Sequence, residues 1–307
     1  MIQTRREFIR RSAMATVVGC GVTRPLMMPA ATSGISLGFS LYGMKSLPLD
    51  EALRACAAIG YRNVELTLTP GFPSEPKLLS AAARKVLRQQ LETLSLELSG
   101  LMLNLKLAVD DAAHAKNLEE IKAAAELAHD LAPDHALVVE TVLGGKPTEW
   151  DEIKERMAER LQSWAEEAKR GKIILGVKAH VGSAVQVPER LLWLLDRVPG
   201  DAVAAVFDYS HLELQGLTVE ESLKLLLPRT KFIHVKDATG DAKKYQFLLP
   251  GDGKTDYVAY FKLLQQQGYR GPVVVEVSGQ IFNRPGYDPL ATAKQCYAKL
   301  AAALNAI

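Results

Sequence analysis

The amino-acid sequence predicts one (β/α)8 barrel, and three observations carry the prediction. Eight short apolar segments alternate without interruption with eight helical ones from residue 35 to the end, the pattern of parallel strands joined by crossover helices. The turn after the first strand reads Ser40-Leu41-Tyr42-Gly43-Met44, without the glycine-rich phosphate loop of an open doubly wound sheet. The later strands end on polar residues, as they do where a barrel gathers its chemistry on one face.

The first strand is Ile35–Ser40, and Leu49–Ile59 is an amphipathic helix closed by Gly60. Residues 63–68 form the second strand, 77–93 a helix and 96–101 the third strand. Residues 113–131 carry Leu118, Ile121, Ala125 and Ala128 at helical spacing and stop before Pro133, which cannot continue a helical ladder. Residues 136–140 are the fourth strand, 149–169 a helix charged on its outer face, and 173–179 the fifth strand, with a helix over 187–198. Val203–Asp208, 231–237 and 273–277 complete the strands, each followed by a helix, near 218–227, 257–267 and Pro289–Leu304.

At 307 residues the chain has room for a barrel of about 250 residues behind a leader. We place the leader at 1–31 and the barrel, a single domain, at 35–307. Net charge is +2, part of it from Arg5, Arg6, Arg10 and Arg11, so the body is near neutral and no nucleic-acid partner is expected. Lys243-Lys244 reads as a solvated pair. Cys20, Cys56 and Cys296 have no metal-type spacing, and the last two read as buried small hydrophobes.

Thr4-Arg5-Arg6-Glu7-Phe8-Ile9-Arg10 is a twin-arginine pattern, followed by a weakly apolar run over 13–22 and by Pro29-Ala30-Ala31, small residues suited to cleavage. The run is too short to span a bilayer. Twin-arginine signals direct folded proteins across the bacterial inner membrane. We therefore expect export by the Tat translocase to the periplasm. Val17-Val18-Gly19-Cys20 also matches a lipoprotein cleavage box, which would leave the chain lipid-anchored on the periplasmic side.

Four strand ends carry chemistry. The fifth offers Lys178 and His180, the sixth Asp208 with His211 three residues on, the seventh His234 with Lys236 and Asp237, and the eighth Glu276 in an apolar run. A carboxylate in such a run is costly to bury unless paired or coordinated. Asp, His and Glu are ligands for a divalent cation. Each residue also has a structural reading: a strand-end Asp caps helices, a lone His satisfies itself in a core, and Lys236 pairs with Asp237. Glu65, on the second strand, suits either a substrate contact or an orienting ion pair. Tyr42 and Phe72, on the first two βα loops, suit stacking on a sugar ring. Trp150, Trp164 and Trp193 read as helix packing, and 249–253 as a turn over the barrel mouth.

Through these motifs, residues 35–307 resemble the xylose isomerase-like barrels, the sugar phosphate isomerase/epimerase superfamily that includes endonuclease IV-type (AP endonuclease family 2) enzymes. Gly60-Tyr61-Arg62-Asn63-Val64-Glu65-Leu66, Phe207-Asp208 with His211, His234-Val235-Lys236-Asp237 and Val275-Glu276 carry the resemblance. It implies one divalent ion (Mn, Co, Zn, Mg or Fe) on Asp208, His234 and Glu276, with His211 on the sugar. His180 and Lys236 are expected as hydrogen-bond donors to sugar oxygens. The family's first glutamate ligand does not carry over, because its Glu-x-His reads Lys178-Ala179-His180. Three arrangements stay open: a three-ligand metal, Glu140 as the missing ligand, or Lys178 in place of a metal.

The resemblance implies an exported sugar isomerase or epimerase that moves a proton next to a carbonyl, with Glu276 and Lys178 as catalytic groups. The alternatives are a lyase or dehydratase on keto-sugars or keto-glycosides, and a periplasmic sugar-binding protein without catalysis. An endonuclease IV-type nuclease is disfavoured, since those enzymes use histidines from early strands and none precedes His114 here. The oligomeric state, homo-oligomer included, is left open.

Overall fold

A computed structural model describes residues 34–307. The twin-arginine pattern, the apolar run, Cys20 and the cleavage region lie outside the described residues. The elements in chain order are β1 (Ile35–Ser40), α1 (Leu49–Ile59), β2 (Asn63–Thr67), α2 (Ala81–Leu94), β3 (Glu97–Met102), α3 (Asp111–Leu131) and β4 (Val138–Val142). Next come α4 (Trp150–Arg170), β5 (Ile174–Lys178), α5 (Pro188–Leu195), β6 (Val203–Asp208), α6 (Tyr209–Glu213), α7 (Val219–Leu226) and β7 (Thr230–Val235). The chain ends with β8 (Asp237–Gly240), β9 (Tyr245–Leu248), α8 (Tyr257–Gln266), β10 (Gly271–Val275), α9 (Gly279–Phe282) and α10 (Pro289–Leu304). Eight strands close into a parallel barrel in the order β1-β10-β7-β6-β5-β4-β3-β2.

The period of two along each strand builds two cores and then the site. Outward residues such as Phe207, Ile233, Val235, Val273 and Val275 join the large core between barrel and helices. Inward residues Val138, Val206, Phe232 and Val274 form a separate core inside the barrel. Glycines make room for it. A Cβ on Gly100 would lie 2.9 Å from the Phe232 ring, and one on Gly176 2.6 Å from Val206. Five of these floor positions are followed two residues later, on the same strand face, by a polar residue. Val138 leads to Glu140, Gly176 to Lys178, Val206 to Asp208, Phe232 to His234 and Val274 to Glu276. The site is the layer above a packed floor.

The structure departs from the predicted elements in three places. The helix expected over 77–93 splits into a short 3-10 turn, Pro76–Leu78, and α2, because the Ser80 hydroxyl accepts from Ala83 N–H and starts a new helix. The strand expected over 231–237 ends at Val235, and Asp237 opens a β8–β9 hairpin that the sequence pattern did not announce. The last strand stops at Val275, one residue before Glu276, whose N–H still donates to Val235 O at 3.1 Å.

The three tryptophans pack as expected: Trp164 is fully buried and Trp150 meets Trp193 edge to face. Cys56 and Cys296 are buried and free, and burial pushes both thiols up to about 12. Among the described residues, no helix is long and apolar enough to cross a membrane.

Candidate active site

Four carboxyl groups, two ammonium groups and three imidazoles meet above the barrel floor. At the centre, Lys178 Nζ donates to Glu276 Oε2 at 2.7 Å and contacts His234 Nδ1 at 2.8 Å. Asp208 Oδ2 lies 3.5 Å and Glu140 Oε2 3.7 Å from the same nitrogen. Lys236 Nζ donates to Asp208 Oδ2 and, at 3.0 Å, to Glu276 Oε2. The alternative reading, a Lys236 pair with Asp237, is not the one the structure takes. Neighbours on a strand point to opposite sides, so Lys236 turns into the site while Asp237 turns away. Asp237 instead accepts from Gly251 N–H, Gly253 N–H and the Tyr257 hydroxyl, tying down the 249–253 turn.

His234 bridges the barrel. Its Nε2 lies 3.0 Å from Glu65 Oε2 and its Nδ1 3.1 Å from Glu276 Oε2. Burial disfavours the charged ring, and the Glu65 and Glu276 carboxylates favour it. The Lys178 contact points the other way, because an ammonium 2.8 Å away can bond only to an Nδ1 that accepts. We take the neutral ring with its proton on Nε2, donated to Glu65. Two buried cations in contact would repel, and this tautomer satisfies both nitrogens.

His211 accepts from Val181 N–H on Nδ1 at 3.4 Å and faces Asp208 Oδ2 with Nε2 at 3.4 Å. Burial, then the opposing pulls of Asp208 and Lys236, leaves it lowered to about 4, so it is neutral. His180 stacks obliquely on it, centroids 4.0 Å apart. Burial and the neighbouring His211 lower its pKa well below the ordinary value. Its Nδ1 pairs with Val181 O at 2.8 Å, so Nδ1 carries the proton. That leaves Nε2 as an acceptor, which corrects the expectation that His180 donates to sugar oxygens.

The carboxyl groups divide in two. Burial alone would raise Glu276 and Asp208, but the ammonium groups outweigh it and hold both well below the usual range. Glu140 goes the other way: burial, opposed by Lys178 and His234 and reinforced by Glu65 and Glu276, pushes it up to about 7. Its Oε2 accepts no hydrogen bond.

A cavity of about 450 Å³ opens on this layer, within the range of small-molecule sites. Glu140, Lys178, His180 and Glu276 line its base, and Tyr42 and Phe72 its wall. Tyr42 and Phe72 stack on each other at 5.4 Å, and Phe282 meets Tyr42 edge-on at 4.8 Å. Glu65, Asp208, His211, His234 and Lys236 sit behind this lining, so Glu65, His211 and Lys236 reach a substrate only through other groups. The sequence reading missed Asn104 and Asn283, which lie on the lining. No motif marks them, since loop asparagines are common.

The cluster has the composition of a divalent-metal site. Ligand atoms of Glu65, Glu140 and His234, and of Asp208, His234 and Glu276, lie within 4.8 Å of one another in each set. Among Asp208, His234 and Glu276, however, the space is taken by charge of the wrong sign, the Lys178 ammonium. Burial disfavours the Lys178 ammonium, but Glu140, Glu276 and Asp208 outweigh it and raise its pKa, so it stays protonated. A divalent ion about 3 Å from an ammonium is repelled by roughly 10 kcal/mol even at an effective dielectric of 20. The donors suggest a metal, but as arranged around Lys178 they do not fit one.

Comparison with known proteins agrees with this architecture. The family described as xylose isomerase-like TIM barrel matches residues 53–306. An inosose dehydratase of Clostridium perfringens is 29% identical over 150 residues, 44% of this chain and 50% of that protein. The inosose dehydratase of Lacticaseibacillus casei is 24% identical over 254 residues, 76% of this chain and 83% of that protein. The structure of an IOLI protein with a bound zinc atom superposes with a TM-score of 0.72 at 21% identity, covering 87% of this chain and 98% of that one. D-psicose 3-epimerase from Clostridium cellulolyticum H10, with D-tagatose, gives 0.68 at 14% identity, with 88% and 99% covered. At these identities the structural likeness speaks for the fold.

Proposed function

Because the chain belongs to the xylose isomerase-like TIM barrel family, we propose that it is a carbohydrate enzyme of the epimerase/dehydratase type that removes a proton next to a carbonyl. One observation carries the reading. Two carboxyl groups pushed in opposite directions by their surroundings line one cavity and share one ammonium: Glu276, held well below the usual range at 2.7 Å from Lys178, and Glu140, raised to about 7 at 3.7 Å. Environments that push a pair of acids apart in this way separate a base from an acid.

The chemistry follows from the groups. Contacts to Glu276 fall on Oε2, and its side chain is 13% exposed, leaving Oε1 toward the cavity. Oε1 takes the proton from the carbon beside a ketone. The electron pair moves onto the carbonyl oxygen, where the Lys178 ammonium receives the developing charge. As the enolate collapses, a carbon–carbon double bond forms and the hydroxyl on the next carbon leaves with the Glu140 proton as water. Both acids then re-equilibrate with solvent. Delivery of a proton to the opposite face of that carbon, in place of hydroxide loss, gives epimerisation, so the two outcomes share the first step. The inosose dehydratases among its relatives favour dehydration. His180 Nε2 accepts from a substrate hydroxyl, and Tyr42 and Phe72 cover an apolar ring face.

The test is incubation with 2-keto-myo-inositol and a panel of ketoses in D2O, followed by proton NMR. Deuterium entry next to the carbonyl, with or without an enone product, is expected. Glu276→Gln should slow it by about 10²–10⁴-fold, the usual contribution of a general base. An unchanged rate in that variant sinks the assignment. Tight binding without exchange favours a sugar-binding protein. We further infer that the chain is exported by the twin-arginine route, on the strength of residues 4–10 and 29–31.

A further inference from the structure

We propose that the Lys178 ammonium is the permanent cation of this barrel face, held where Asp208, His234 and Glu276 would otherwise grip a divalent ion, so that the enzyme works without a metal there. The inference deepens the proton-transfer reading and rests on it for the role of the charge. Its evidence is geometric. One nitrogen, on a side chain 2% exposed, lies 2.7 Å from Glu276, 2.8 Å from His234, 3.5 Å from Asp208 and 3.7 Å from Glu140. Those are the donor atoms that a metal would use, and they come from β4, β6, β7 and the residue after β10. Lys236 supplies a second ammonium on Asp208 and Glu276, at 3.0 Å from the latter. The donors are thereby engaged, which a buried acid needs.

Charge accounting supports the exchange. A carboxylate at position 178 together with a divalent ion would bring a net charge of plus one to the centre. Lys178 brings the same charge alone. An ammonium also differs from a metal in what it offers: three N–H donors on a flexible stem and no vacant coordination position. It receives one substrate oxygen at a time by hydrogen bonding, whereas a metal chelates two. The substrate expected is therefore a monoketone whose neighbouring hydroxyl need not bind in the same plane.

The test needs no substrate, so its failure is distinguishable from failure of the proton-transfer reading. The full chain is stripped with chelator, equilibrated with Mn²⁺ or Zn²⁺, dialysed and measured by plasma mass spectrometry, with titration calorimetry alongside. Wild type should retain less than about a tenth of an equivalent. Lys178→Glu should retain about one, lost again when Asp208→Asn is added. Lys178→Met, which frees the three donors without adding a fourth, should show metal-dependent gain in Tm, and circular dichroism checks that either variant is folded. One equivalent on wild type, lost in Asp208→Asn, overturns the proposal. So does a folded Lys178→Glu and a folded Lys178→Met that bind no more than wild type, because the donors are then not a cation site at all.

Discussion

At the scale of single residues, Glu140 is the group whose environment makes the sharpest prediction. Its carboxyl is raised from 4.5 to about 7 in the folded chain. The native state therefore binds this proton more tightly than the unfolded state does. Its contribution to stability is fully present below about pH 4.5 and is lost as pH rises through 7. Glu140→Gln, which mimics the neutral acid, should gain on wild type across that window, by on the order of 3 kcal/mol at 1.36 kcal/mol per unit. Melting curves at pH 5 and pH 8 check it; an equal Tm difference at both refutes it. His211 has the opposite sign. Lowered to about 4, it stabilises the fold above about pH 6.5 and loses that contribution as pH falls toward 4. Lys236→Met should act on both partners of the ammonium. It leaves Asp208 with one cation fewer and removes one of two donors beside Glu276. A loss of roughly 3–5 kcal/mol in denaturant midpoint analysis is expected when a buried pair is broken.

At the scale of elements, the strands carry their instructions in a period of two. The floor residues Val138, Gly176, Val206, Phe232 and Val274 each precede a site residue by two positions. The barrel is thus set to packing density just below the chemistry. Gly100→Ala tests this floor, since its Cβ would come within 2.9 Å of the Phe232 ring. Overpacking should destabilise by about 1–3 kcal/mol, and Gly100→Ala/Phe232→Leu should recover part of it as a coupling energy in a double-mutant cycle. Additive losses would mean that the two do not share the space. The β8–β9 hairpin is the element the pattern hid. Asp237 leaves β7 facing outward and accepts three hydrogen bonds from 251, 253 and 257. The motif His-x-Lys-Asp thus divides its charges between the site and a loop.

At the scale of the whole molecule, the barrel gathers groups from six strands into a layer one side chain thick. Its composition is that of a metal site, and its central position is taken by Lys178. The twin-arginine pattern at residues 4–10 makes a prediction of its own. Arg5→Lys/Arg6→Lys should hold the chain in the cytoplasm. Fractionation with mass spectrometry of the exported N-terminus reads this directly. Equal periplasmic recovery of wild type and variant would remove the twin-arginine assignment.

Much of this is legible in the sequence. Alternation of strands and helices, and the lack of a phosphate loop, specify the barrel because both depend on local periodicity. Asp208, Lys178, His234 and Glu276 stand out because a charged residue in an apolar strand needs a reason. Partnership is another matter. Lys236 has a neighbour of opposite charge in Asp237, yet it pairs with residues 28 and 40 positions away. His234 meets Glu65 across 169 residues. Adjacent residues on a strand face opposite sides, so sequence proximity misleads there, and only closure of the barrel selects which distant side chains meet. The same closure brings four donors onto one ammonium. The chain's pattern determines that polar groups converge; the tertiary structure decides which charge stands at their centre.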